Sequence, residues 1–141
     1  MKPFEYFIET NEAKKSIVDI NLAKSLIKDM QERIGKTDLL DIKVFPKIIF
    51  ENIYDALRDF CDALLALSGY KSYSHQASIS FLAKQGFEVS LIEDLDRFRY
   101  IRNGSKYYGL SISIEDAQQI RNFYIVNKLK MEKIIKFKGL R

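Results

Sequence analysis

The sequence predicts an all-α fold: an antiparallel up-and-down bundle of four to five helices forming a single domain over residues 1–141. Three observations carry the prediction. Apolar residues recur every three or four positions over long stretches, the spacing that lines one face of a helix. Gly and Pro number only six and two in 141 residues, too few for the tight turns of an all-β fold of this length. Hydrophobic residues make up 47% of the chain and charged residues 30%, which supplies a core and argues against disorder.

The first helix is expected from Thr10 to Ile34, with Pro3 compatible with an earlier start. Ala13, Ile17, Ile20, Ala23, Ile27, Met30 and Ile34 line one face, and Gly35 ends it. The second starts at Pro46, whose fixed φ and missing N–H suit a first helical turn. It runs through Ile49, Ile53, Leu57, Phe60, Leu64 and Leu67 to Gly69, a natural left-handed stop. A short third helix is capped by Ser74 and passes through Ile79, Phe81 and Leu82 to Gly86. The fourth opens on Ser90 and Glu93, spaced as a capping box, and turns Leu91, Leu95, Phe98 and Ile101 inward. The fifth opens at Ser113, with Glu115 and Asp116 in the first turn where carboxylates suit the helix dipole. Ile120, Ile125, Leu129 and Ile134 form its inward stripe.

Composition also excludes chemistry. A single cysteine, Cys61, rules out an internal disulfide framework and a cysteine-rich zinc site. The single histidine, His75, leaves no paired-histidine mechanism within one chain. No metal or other cofactor is expected. No apolar run approaches the ~18 residues of a membrane span, and no signal peptide is visible, so a cytoplasmic protein is expected.

The net charge of +4 is unevenly spread. Six basic residues lie between Lys128 and Arg141 against one acid, Glu132, and a second basic segment runs from Arg97 to Lys106. Positive charge gathered in this way is the footprint expected for a polyanion such as RNA. A solvated helix end is the simpler reading of the C-terminal run, since lysines also suit the dipole there. On the second helix, Glu51, Asp55, Asp59 and Asp62 share an arc of about 100°. Arg58 lies in the same arc and opposes a divalent cation, so a solvated face with local ion pairs is expected. Cys61 falls near the apolar centre of that helix, where a buried, inert thiol is expected.

The informative segment is Asp94 to Gly109. When the stripe through Leu91, Leu95 and Phe98 is continued at 100° per residue, Arg102 falls about 40° from its centre. A guanidinium there must be hydrogen-bonded or face a hydrated cleft, because burying it unpaired costs several kcal/mol. Asp94 and Asp96 are candidate partners. Arg99, Asn103 and Lys106 lie on the adjoining shoulder. Asn103-Gly104 is alternatively a helix stop that leaves Tyr107 and Tyr108 in a loop.

Arg102 followed directly by Asn103, near the end of the fourth helix of a domain this size, resembles the HEPN family. That family comprises helical partners of minimal nucleotidyltransferases and metal-independent ribonucleases. Its signature is an Arg, commonly followed by Asn, Asp or His, with four to six residues between that Arg and a His. Tyr107 and Tyr108 occupy the first two of those histidine positions here, and no histidine lies in the window. The resemblance implies a 2′-hydroxyl attacking the adjacent phosphate, with Arg102 stabilising the phosphorane and Tyr107 standing in for the acid/base residue. A phenol titrates near ~10, which suits it poorly for the base. Binding chemistry is therefore expected to survive: Arg102 holds phosphate, Arg99, Asn103 and Lys106 support it, and Tyr108 or Tyr107 stacks on a base. The resemblance further implies a homodimer and a toxin–antitoxin setting with a minimal nucleotidyltransferase partner. Two alternatives stay open: a metal-independent endoribonuclease using Tyr107 or His75, and a purely structural interaction bundle.

Overall fold

Helix α3, Pro46–Leu67, is the axis around which the chain packs. In the computed structural model, which describes all residues from Met1 to Arg141, twelve of its residues are buried. Pro46 occupies the first turn as expected, and the helix stops before Gly69 at φ +78°. A Cβ at Gly69 would lie 3.2 Å from the Ser16 carbonyl oxygen, so this turn needs glycine for its dihedral and for space.

The stretch expected as one first helix is instead three elements. Helix α1 is Phe4–Glu9, strand β1 is Ala13–Lys15, and helix α2 is Ile20–Thr37. Strand β1 pairs antiparallel with β2, Tyr70–Ser72, with Ala13 opposite Ser72. Helical spacing misled here because Ile17 and Ile20 are solvent-facing, at 87% and 51% exposure. The break has physical causes: Asn11 is left-handed at φ +62°, and the Ser16 and Asp19 amides donate to Gly69 and Ala66. The Asp19 side chain then caps α2 by accepting from the Leu22 amide. Phe4 and Phe7 anchor α1 in the core, Phe4 meeting Tyr70 and Phe81 edge-on. Gly35 lies inside α2 rather than ending it.

Ser74 caps α4, His75–Ser80, as expected, and a 3₁₀ turn over Phe81–Gln85 carries the chain to Gly86. Helix α5 spans Val89–Tyr108. It does not use the Ser90/Glu93 box: Glu88 holds the cap position without a side-chain bond, leaving Ser90 within the first turn. Nor does the helix stop at Asn103-Gly104. It continues to Tyr108 and ends at Gly109, with the Leu110 amide bonded back to Gly104 O. Helix α6, Ile114–Phe137, begins with a complete capping box between Ser113 and Asp116.

The stripe expected for α6 is rotated. Ala117, Ile120, Met131 and Ile135 are buried, whereas Ile125 and Leu129 are 61% and 64% exposed. Small Ala117 allows close approach to the core and sets the helix on the neighbouring stripe. The bundle is antiparallel and mostly helical, with six α-helices against the four or five expected, and a small two-stranded sheet. Phe50, Phe98 and Phe123 meet edge-to-face, and Cys61, farther along α3, is fully buried in the core. No helix is long and apolar enough to cross a membrane.

Candidate functional site

The informative segment forms the C-terminal half of α5, and the structure divides it between two faces. Residues four apart on a helix are surface neighbours. Arg99, Asn103 and Tyr107 make one such strip, and Tyr100, Gly104 and Tyr108 make the next. Both strips line a single open cleft of about 630 Å³, closed on its far side by Leu110 and Ser111. A Cβ on Gly104 would come within 3.1 Å of Leu110 Cδ1, so glycine there leaves room between α5 and the following turn.

The cleft walls carry three tyrosines, one arginine, Arg99, and one carboxylate, Asp116. The Tyr100, Tyr107 and Tyr108 rings are largely exposed. Lys106 sits at the rim, its Nζ 5.6 Å from the Tyr107 ring centroid. The Arg99 Nε donates to Asp96 Oδ1 at 2.6 Å, which orients the guanidinium beside the cleft.

Arg102 lies on the other face, toward α3. It is core-facing, as its wheel position required, with a side chain only 12% exposed. Its partner is neither Asp94 nor Asp96 but Asp55, one Nη2 contact at 3.4 Å. The guanidinium also sits 5.3 Å from the Tyr54 ring centroid, and its Nε is buried with no acceptor. Arg102 does not line the α5 cleft.

The acidic arc of α3 is likewise more enclosed than a solvated face. Arg33 reaches across from α2 to Asp59 at 3.1 Å and Asp55 at 3.7 Å. Arg58 pairs with Asp62 at 3.4 Å, and the Ser78 hydroxyl donates to Asp62 at 2.7 Å. Arg58–Asp62 and Lys47–Glu51 are the local pairs expected, four residues apart on α3. Burial outweighs the Arg33 charge at Asp59 and pushes its titration up to about 6; burial also raises Asp62. Packing of α2, α4 and α5 onto this face turns a surface pattern into an ion-pair layer.

His75 belongs to that layer rather than to the free surface. Its Nδ1 lies 2.8 Å from the Tyr54 hydroxyl, and the rings are nearly parallel, 5.9 Å apart. Burial above all, then the charges of Arg58, Arg102, Arg99 and Lys106, lower its titration to about 4. Burial raises the Tyr54 hydroxyl, so it keeps its proton. With Nδ1 as its one partner, that hydroxyl donates, which leaves the imidazole proton on Nε2. Arg102 and His75 thus meet on the same tyrosine.

Sequence reasoning found the cleft residues Arg99, Asn103, Tyr107 and Tyr108, with Lys106 beside them, but missed Tyr100 and Asp116. The spacing of four through Gly104 to Tyr108 carried the signal for Tyr100. Tyr54 was missed outright, because a tyrosine inside an apolar stripe reads as core. Comparison with family models, characterised proteins and solved structures finds no match to this chain.

Proposed function

We propose that this chain is a HEPN-like helical domain that binds RNA or nucleotide phosphates at the α5 cleft and does so without full ribonuclease competence. One observation carries the reading: two adjacent helical strips place an arginine, an asparagine and three exposed tyrosines around one open cleft. Single-stranded nucleic acid is held by a basic groove interleaved with aromatic faces on which bases stack. Tyr107 and Tyr108 supply stacking faces, Lys106 and Arg99 attract the phosphates, and the Asn103 amide is a hydrogen-bonding group for a base edge or sugar. Arg102 contributes positive field and, through Asp55 and Tyr54, holds α5 on α3. In this reading the working unit is a cytoplasmic homodimer that joins two clefts, with a minimal nucleotidyltransferase as the partner.

Lack of cleavage follows from the acid/base groups. His75, with its titration lowered to about 4 and Nδ1 engaged by Tyr54, is a weak proton acceptor, and no imidazolium is present at physiological pH to serve as the acid. The ribonuclease reading draws support from one observation, the meeting of Arg102 and His75 on Tyr54.

Both are tested with a fluorescein-labelled single-stranded RNA, using anisotropy for binding and gel analysis in EDTA for cleavage. Tyr107→Ala and Tyr108→Ala are each expected to weaken binding by about 1–3 kcal/mol, the worth of one stacked base. Lys106→Ala is expected to reduce both affinity and its dependence on salt. Affinity unchanged in all three variants removes the cleft from the proposal. Cleavage that disappears in His75→Ala transfers the assignment to the ribonuclease.

A further inference from the structure

Helix α6 carries a second unassigned surface, independent of the α5 cleft. Ile125, Val126 and Leu129 are 61%, 79% and 64% exposed, and Phe137, at the end of the helix, is 90% exposed. On a helix, Ile125, Leu129 and Val126 fall within about 100° of one another, opposite the residues α6 buries against the bundle. Ile125 and Leu129 belong to a seam at alternating spacings of three and four, Asn122, Ile125, Leu129, Glu132, Lys136, with Val126 beside it. Lys128 and Lys133 flank it. Lys130 is drawn away, its Nζ bonded to Gly86 O and over the Phe87 ring.

We propose that the outward face of α6 is a docking seam for an acidic amphipathic helix of a partner protein. The spacing is that of helix-on-helix recognition, where apolar knobs sit in the seam and flanking charges select the partner. Charge complementarity names the occupant. The flanks and the C-terminal seam position are lysine, and the seam's one acid, Glu132, is engaged by Arg141 at 4.0 Å. A second copy of this chain would set lysine against lysine. Nucleic acid satisfies the lysines but leaves Ile125, Val126 and Leu129 without apolar partners. A bilayer would have to desolvate Asn122 and Glu132 within the seam, which is costly without hydrogen-bond partners. A helix with leucines against Ile125 and Leu129, polar side chains against Asn122 and Glu132, and glutamates at its flanks answers each of these groups.

The test uses the full chain and a labelled three-heptad peptide with Leu at the inward positions that meet Ile125 and Leu129, Gln at those that meet Asn122 and Glu132, and Glu at the flanks; its like charges keep it from associating with itself. The expected result is saturable binding that falls at least about tenfold in Ile125→Gln/Leu129→Gln. Both positions are exposed, and circular dichroism checks that the fold is kept. Lys128→Glu/Lys133→Glu/Lys136→Glu is expected to abolish binding of this peptide and to confer binding of the matched Lys-flanked peptide. Three results overturn the proposal: no binding of the Glu peptide, binding indifferent to the apolar variants, or sedimentation showing self-association through these residues. Retention of the wild type by phosphatidylserine vesicles or RNA, lost in Ile125→Gln/Leu129→Gln while the peptide does not bind, assigns the face to that other surface. Tyr107→Ala is expected to leave peptide binding unchanged, so failure here and failure at the α5 cleft read out separately.

Discussion

Two groups in the α3 layer oppose one another as pH falls, and a pair of substitutions separates them. Asp59 titrates at about 6 in the fold against an ordinary 3.8. At neutral pH the folded chain therefore holds an anion that burial disfavours, at a cost of about 3 kcal/mol on the scale of 1.36 kcal/mol per pH unit. That cost is lifted as pH drops through about 6 toward 3.8. His75 runs the other way, titrating at about 4 against 6.5. Below 6.5 the unfolded chain takes up a proton that the fold refuses, and the fold loses stability down to about 4. Solvent reaches part of the imidazole, so about 1–2 kcal/mol is the appropriate size for the loss. Replacing Asp59 with Asn keeps the shape and removes the buried anion, and Arg33 retains Asp55 and Asn52 as partners. Asp59→Asn is expected to be more stable than wild type at neutral pH by about 1–3 kcal/mol. The same variant should then fare worse on acidification than wild type, because His75 is opposed only by the raised Asp62. His75→Gln should do the reverse and gain stability between about 6 and 4. Urea unfolding followed by circular dichroism at several pH values measures both slopes. A less stable Asp59→Asn at neutral pH would refute the reasoning, since it would mean that the Arg33 pair outweighs burial.

Three further outcomes follow from local contacts. Tyr54→Phe removes the donor to His75 Nδ1 and should raise the titration of the sole histidine, read by NMR of its ring protons, with a loss of about 1 kcal/mol. Ser113→Ala breaks the capping box of α6 and should cost about 1 kcal/mol in chemical denaturation. Gly104→Ala adds a helix-favouring residue worth up to about 1 kcal/mol. Its Cβ presses on the flexible end of Leu110, so thermal stability should change little while RNA affinity at the narrowed cleft falls.

Much of the fold was legible because local rules and packing agreed. Pro46 and Gly69 bracket α3, Ser74 caps α4, and Ser113 with Asp116 opens α6, each through interactions spanning a few residues. The failures occurred where long-range contacts overrode a helical pattern. The run from Ala13 to Ile20 has helical spacing, yet it yields to backbone bonds from Gly69 and Ala66, residues distant in sequence. Ile125 and Leu129 look like core until Ala117 and Met131 take that place.

The candidate site follows the same division. Spacing of four along one helix was enough to gather Arg99, Asn103, Tyr107 and Tyr108, because helical geometry is periodic and local. The partner of Arg102 was beyond that reach. Asp94 and Asp96 are near in sequence, but Asp55 on α3 is near in space. Sequence by itself determined that this is a helical chain with a basic, tyrosine-rich fourth segment and an arginine near its core-facing stripe. Only tertiary packing decided which carboxylate answers that arginine, that the lone histidine shares a tyrosine with it, and that the cleft opens on the opposite side. Those outcomes depend on the relative rotation of helices, which is set by the summed burial of many side chains rather than by any one segment.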